Sequence, residues 1–118
     1  MNRRAFGGEG ETAACAYLVR RGWRILDRNV RIGRGEIDII AQKRGAIAFI
    51  EVKRRTTNQF GTPAEAVNAE KQRRIITAAA LYLQRHNLQN ANVRFDVIEV
   101  TPDGVNHIPC AFDATDML

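Results

Sequence analysis

The sequence predicts an α/β fold: a mixed sheet of four to five strands flanked by helices, in the order αβββαβ. Three observations carry this. Two stretches, Glu9–Arg21 and the one around Ile75–Leu83, space their apolar residues at helical intervals. Between them, residues 23–30, 35–42 and 46–53 have the alternation or apolar continuity of strands, and a further alternating run, 93–101, follows the second helix. Hairpin links make the first three strands antiparallel, and a helical crossover makes the third and fourth parallel.

Residues 1–8 are polar and Gly-containing, so a mobile start is expected, with Arg3 and Arg4 within reach of a phosphate backbone. The helix that follows ends at Gly22, a natural residue just past a helix. Glu11, Ala14, Cys15 and Leu18 fall at i, i+3, i+4 and i+7, so Glu11 tops the buried stripe and points toward the sheet. An acid there either complements the helix dipole or belongs to a site, and spacing does not separate the two.

Trp23–Val30 is the first strand, with Trp23 and Ile25 on one face, and Arg31–Gly35 is a Gly-punctuated turn. In Gly35–Gln42 the residues Ile37, Ile39 and Ala41 alternate with Glu36, Asp38 and Ile40, which places Asp38 on the Ile40 face, with Glu36 one step away. Lys43-Arg44-Gly45 is the hairpin turn. Ala46–Lys53 opens with five apolar residues, as a strand covered on both sides does, and puts Phe49, Glu51 and Lys53 on one face.

The segment after Arg55 is a polar loop in which Phe60 is the anomaly, a candidate for base stacking or for packing its own loop down. Thr62, Pro63 and Glu65 form a capping box, and Asn68 starts a fresh helical segment. Ile75, Ile76, Ala79, Tyr82 and Leu83 make the stripe that lies on the sheet, and His86 closes the helix where a cation favours the dipole. After the fourth strand, residues 102–118 form a tail: Val105–Pro109 adds a short edge strand limited by its proline, and the acidic end frays. His107, with no acid or cysteine close in sequence, receives no role.

The 118 residues fit a single domain, 1–118. There is no run of 18 apolar residues and no apolar core behind Arg3 and Arg4, so neither a membrane partner nor a secretory leader is expected, and a cytoplasmic location is inferred. Cys15 and Cys110 are isolated, without zinc-ligand spacing. All eighteen Lys and Arg, fifteen of them Arg, lie in residues 1–94 with eight of the thirteen acids, while the last 24 residues carry only acids. That segregation favours a polyanionic partner such as nucleic acid.

The sharpest feature is the constellation of Asp38, Glu51 and Lys53. Side chains two apart on a strand stand about 6.6 Å apart, and hairpin pairing brings Asp38 beside them. Two carboxylates exceed one ammonium, and a buried unpaired charge costs several kcal/mol, so the cluster calls for a cation. A structural ion pair in which Lys53 neutralises one acid is the bland alternative.

Asp38, twelve intervening residues, then Glu51-Val52-Lys53 resembles the D…(D/E)-x-K signature of the PD-(D/E)XK nuclease superfamily. Together with Gly10-Glu11, Gly35-Glu36-Ile37-Asp38, Phe49-Ile50 and Lys71-Gln72, the pattern resembles the YraN family of bacterial proteins, similar to archaeal Holliday junction resolvases, from about Gly10 to Val100. The resemblance implies a restriction-endonuclease-like core and a metal-dependent endonuclease acting on DNA, including branched DNA, as a homodimer. It implies Asp38, Glu51 and Lys53 as catalytic residues, and Mg²⁺ or Mn²⁺ held by Asp38, Glu51, the Val52 carbonyl and Glu11, all hard oxygen donors. Glu36 and Gln72 are expected just outside the metal ligands, and Arg34, Arg54, Arg55, Lys71 and Arg74 along the nucleic acid. The alternatives are a non-catalytic nucleic-acid-binding domain that keeps the nuclease core, and an ion cluster in a protein-interaction domain.

Overall fold

In the computed structural model, which describes residues 3–55 and 67–114, with side chains of the first helix from Glu9 onward, seven elements follow one another. They are α1 (Arg3–Arg20), β1 (Arg24–Ile32), β2 (Gly35–Lys43), β3 (Ala46–Arg54), α2 (Ala69–Arg85), β4 (Asn92–Thr101) and β5 (Gly104–Phe112). One sheet runs in the order β1-β2-β3-β4-β5, antiparallel except for the β3–β4 pair. This is the expected mixed α/β sheet, compatible with a restriction-endonuclease-like core. No helix among the described residues is long and apolar enough to cross a membrane.

The sheet is covered on both faces. On one, Ala14 and Leu18 of α1 pack with Trp23, Ile39, Ala41, Ala48, Ile50 and Ile98. On the other, Ile75, Ala78, Ala79 and Tyr82 of α2 pack with Ile32, Ile37, Ile40, Ile47, Phe49, Phe95 and Val97. The unbroken apolar runs of β2 and β3 are those of central strands with no face in water. Their hairpin turns on Arg44 and Gly45, both at positive φ (50° and 82°), the pair of angles that matches strand twist in a two-residue loop.

The structure departs from the sequence expectations in three places. α1 begins at Arg3 rather than at Glu9, because helix formation is cooperative and an Ala-rich run extends into the preceding turns despite Gly7 and Gly8. The tail forms a strand of 9 residues rather than a short one, since β5 lies at the sheet edge, where the missing N–H of Pro109 is tolerated. β1 runs on to Ile32, through Asn29 at φ 53°. As expected, Asn68 starts a helical segment, α2, and its side chain accepts the Lys71 N–H at 2.9 Å. Phe60, the Thr62–Glu65 capping box and Asp116 lie outside the described residues.

A close approach at one glycine fixes α2 over the sheet. A Cβ on Gly35 would stand 2.5 Å from the Arg74 carbonyl oxygen and 2.7 Å from the Ala78 Cβ. Only glycine lets the helix backbone settle directly on the first residue of β2. The N-terminal turns of α2 are thereby held over the ends of β2 and β3.

Candidate functional site

The site forms where strand pairing gives way. The β2–β3 ladder runs from Lys43↔Ala46 to Ile39↔Ile50. At the next step the Asp38 carboxylate accepts the Val52 N–H at 2.8 Å. The strict alternation read from sequence also breaks here. Ile37 belongs to the α2-side core, yet Ile39, two residues on, belongs to the α1-side core. Their β1 partners do the same: Val30 packs on the α2 side, while Arg28 reaches Glu11 and Thr12 of α1. The left-handed Asn29 lies between those two partners, so both strands change facing at the level of Asp38.

Asp38 therefore feels acids from both layers. Burial, then the Glu51 carboxylate, push its carboxyl up to about 8, with a smaller contribution from Glu11; the Val52 N–H opposes them. Glu51, 6% exposed, follows Phe49 onto the α2 face and lies within hydrogen-bonding reach of Asp38. The Lys71 ammonium pairs with Glu51 Oε1. Burial opposes the Lys71 charge, but the hydrogen bond and charge of Glu51 outweigh it and raise its pKa. Lys53 is pushed the other way, by burial and by the neighbouring Lys71 ammonium.

Asp38, Glu51 and Lys53 thus converge, and Lys71 joins them through its pair with Glu51 while also lining the groove beside Arg34 and Arg74. Glu11 is buried at 8% exposure, with Arg28 Nη2 3.8 Å from its carboxylate. Among the described residues no three His, Cys, Asp or Glu side chains come together as a metal-binding group. The donor set is two carboxylates, which fits a hard ion that keeps several waters and takes one or two protein carboxylates plus phosphate oxygens. Burial first, and the Glu51 carboxylate second, account for the high Asp38 value.

The expected outer positions resolve differently. Glu36 is exposed and faces Arg31 at 3.8 Å, because it stands before the change of facing. Gln72 donates its Nε2 to the Val67 carbonyl at 2.8 Å, tying the segment before α2 rather than the acids. Arg54 reaches Glu9 at 3.1 Å, and Arg55 is half-buried with Glu99 at 2.5 Å, so both sit in ion pairs at the sheet end. Arg34 and Arg74 line an open groove beside Lys71, joined by Arg73, which the sequence reading did not single out although it adjoins Arg74. Arg74 also pairs with Glu70 at 2.6 Å.

A second polar cluster escaped the sequence reading altogether. Asp96, fully buried, accepts from Arg94 (2.7–3.2 Å), from the Cys110 N–H (3.0 Å), and meets His107 Nε2 at 2.6 Å. His107 Nδ1 in turn meets the Tyr17 hydroxyl of α1 at 3.2 Å. The signal available was an Asp in the apolar run Phe95–Ile98 with an Arg two residues earlier, hence on the same face. Burial opposes the Asp96 charge, but His107, Arg94 and the Cys110 N–H outweigh it and lower its pKa.

Residues 10–100 match the model of the family described as "Uncharacterised protein family UPF0102". The chain is 44% identical over 116 residues to a UPF0102 protein of Myxococcus xanthus, covering 95% of this chain and 92% of the relative. It is 48% identical over 110 residues to one from Symbiobacterium thermophilum (93% and 92% covered), and 45% over 114 residues to one from Clostridioides difficile (95% and 100%). With fold, motifs and relatives in agreement over most of its length, the chain belongs to the UPF0102 family.

Proposed function

We propose that this chain is a metal-dependent endonuclease that hydrolyses DNA phosphodiester bonds, branched or junction DNA among its candidate substrates. The observation that carries the reading is the meeting of the Asp38 and Glu51 carboxyls under two lysines, Lys53 and Lys71, at the end of a closed ladder. Asp38 and Glu51 would hold Mg²⁺ or Mn²⁺, with the Val52 carbonyl beside them and Glu11 adding negative field from α1. When bound, the ion supplies Lewis acidity at a phosphoryl oxygen and a more acidic water.

The chain's own groups do the rest. Lys53, its ammonium destabilised by burial and by Lys71, is the group best placed to orient the attacking water and take its proton. Arg34, Arg73 and Arg74 extend positive charge away from the acids, as a phosphate backbone requires. A homodimer matches two symmetric cuts in a four-way junction.

A second reading, a non-catalytic nucleic-acid-binding domain, is favoured by the Lys71–Glu51 pair, which neutralises one acid without any ion. Incubating the protein with four-way, forked and linear DNA, with and without Mn²⁺, separates the two. The endonuclease reading expects metal-dependent cleavage, reduced at least about 100-fold in Asp38→Ala and Lys53→Ala. Binding without cleavage, or cleavage untouched by either substitution, supports the binding domain or a contaminating nuclease instead.

A further inference from the structure

We infer that Lys71 is an internal counterion that stands in the metal's place on Glu51 and is displaced when a divalent ion arrives. The inference rests on the metal-dependent reading above and adds to it a residue and a movement. Glu51 is nearly enclosed, its side chain 7% exposed, whereas that of Lys71 is 40% exposed, so the two ends of this ion pair differ in freedom. The Lys71 backbone is fixed, because its N–H is held by the Asn68 side chain at 2.9 Å in the first turn of α2. The four-carbon stem alone must move, and rotamers of an exposed lysine exchange quickly.

Charge makes the displacement necessary. Two acidic side chains, Asp38 and Glu51, the first of which holds on to its proton, already face two lysines, Lys53 and Lys71. A divalent cation added to that set leaves an excess of positive charge in a half-buried site, and the ammonium on the open side is the one that can leave. It has somewhere to go: Lys71 also lines the groove of about 410 Å³ shared with Glu36, Glu70, Arg34 and Arg74. Glu36 and Glu70 there offer it carboxylates in the absence of DNA, and a bound strand would offer it a phosphate. In the metal-free protein the same lysine offsets part of the repulsion between the two acids.

Two measurements test this on the full chain with Mn²⁺ alone. Calorimetric titration is expected to give a Mn²⁺ Kd about tenfold tighter in Lys71→Met than in the parent, because the competitor is gone. Acetic anhydride labelling of the parent protein, read by mass spectrometry of the Lys71 peptide, is expected to rise severalfold when Mn²⁺ is added. An equal or weaker Kd in Lys71→Met overturns the inference. So does labelling that Mn²⁺ leaves unchanged, whatever the affinity; this arm needs no variant and stands even if Lys71→Met fails to fold. If the parent protein binds no Mn²⁺ at all, the metal-dependent reading itself falls; if it binds Mn²⁺ and only the Lys71 effects are missing, that reading survives and the counterion does not.

Discussion

Asp38 takes the backbone N–H of Val52 at 2.8 Å, one step beyond the last β2–β3 pair, Ile39↔Ile50. A side chain has replaced a strand's backbone as acceptor, and the replacement holds a carboxylate beside Glu51 where burial and repulsion raise its pKa to about 8. A folded value above the ordinary one near 4 means that the folded state keeps its proton longer than the unfolded chain does. The stability is fully present below about pH 4 and is lost as pH rises through about 8. In EDTA, the melting temperature of the parent should therefore fall between about pH 5 and about pH 8.5. Asp38→Asn should flatten that fall and melt about 5 °C or more above the parent at the upper pH, while losing cleavage. Thermal melts at the two pH values decide it; an Asp38→Asn protein less stable than the parent at the upper pH contradicts the repulsive pair.

Gly35→Ala tests how the site is held from the other side. The added Cβ meets the Arg74 carbonyl at 2.5 Å and the Ala78 methyl at 2.7 Å, neither of which is a flexible side-chain end. The helix must shift, so a loss of about 1–3 kcal/mol in urea unfolding is expected. Because Lys71 rides on the same helix, Mn²⁺ affinity should change as well, whereas a pure core defect far from the site would leave it alone. Unaltered stability would show that α2 yields without cost.

Asp96 carries a separate prediction about the frame. Removing its carboxylate in Asp96→Ala leaves Arg94 and His107 without the anion between them, and should cost about 3–5 kcal/mol in chemical denaturation. Its folded pKa is lowered, so its contribution is present above the ordinary carboxylate range and is lost as pH falls through the folded value. Acid unfolding of the parent below about pH 4 should be blunted in Asp96→Asn, which has no proton to gain.

These residues also mark where the sequence was legible. The stripes Ala14–Leu18 and Ile75–Tyr82 and the apolar runs of β2 and β3 state their burial in period and composition, so both layers and the strand order could be read. Glu51 could be placed because β3 keeps its alternation. Alternation alone puts Asp38 on the Ile40 face but also sets Ile37 with Ile39, and it misses the change of facing at Asn29, a backbone event with no composition of its own. His107 stayed unassigned because its acid is on the neighbouring strand, brought close only by β4–β5 pairing with a register shift between Phe95 and Val97. Arg54 and Arg55 could be read as cations, but not their ion-pair partners Glu9 and Glu99, which come from distant segments.

The proposed nucleic-acid contacts and the structural ion pairs separate most sharply among the arginines. Arg34 and Arg73 line the groove that opens beside Lys71. Each cation taken away from the phosphate backbone should lower the slope of log affinity against log salt by about 0.9, so Arg34→Ala and Arg73→Ala should bind duplex and junction DNA more weakly and with a shallower salt dependence. Arg55 instead sits half-buried against Glu99 at 2.5 Å, with its N–H on the Val100 carbonyl at 2.9 Å. Arg55→Ala takes the guanidinium away from that carboxylate and should lose about 1–3 kcal/mol of stability with the salt slope unchanged. Fluorescence anisotropy across a salt series, run alongside urea unfolding of the same proteins, reads both quantities. A salt slope that drops for Arg55→Ala but not for Arg34→Ala would move the nucleic-acid track to the β3–β4 end of the sheet.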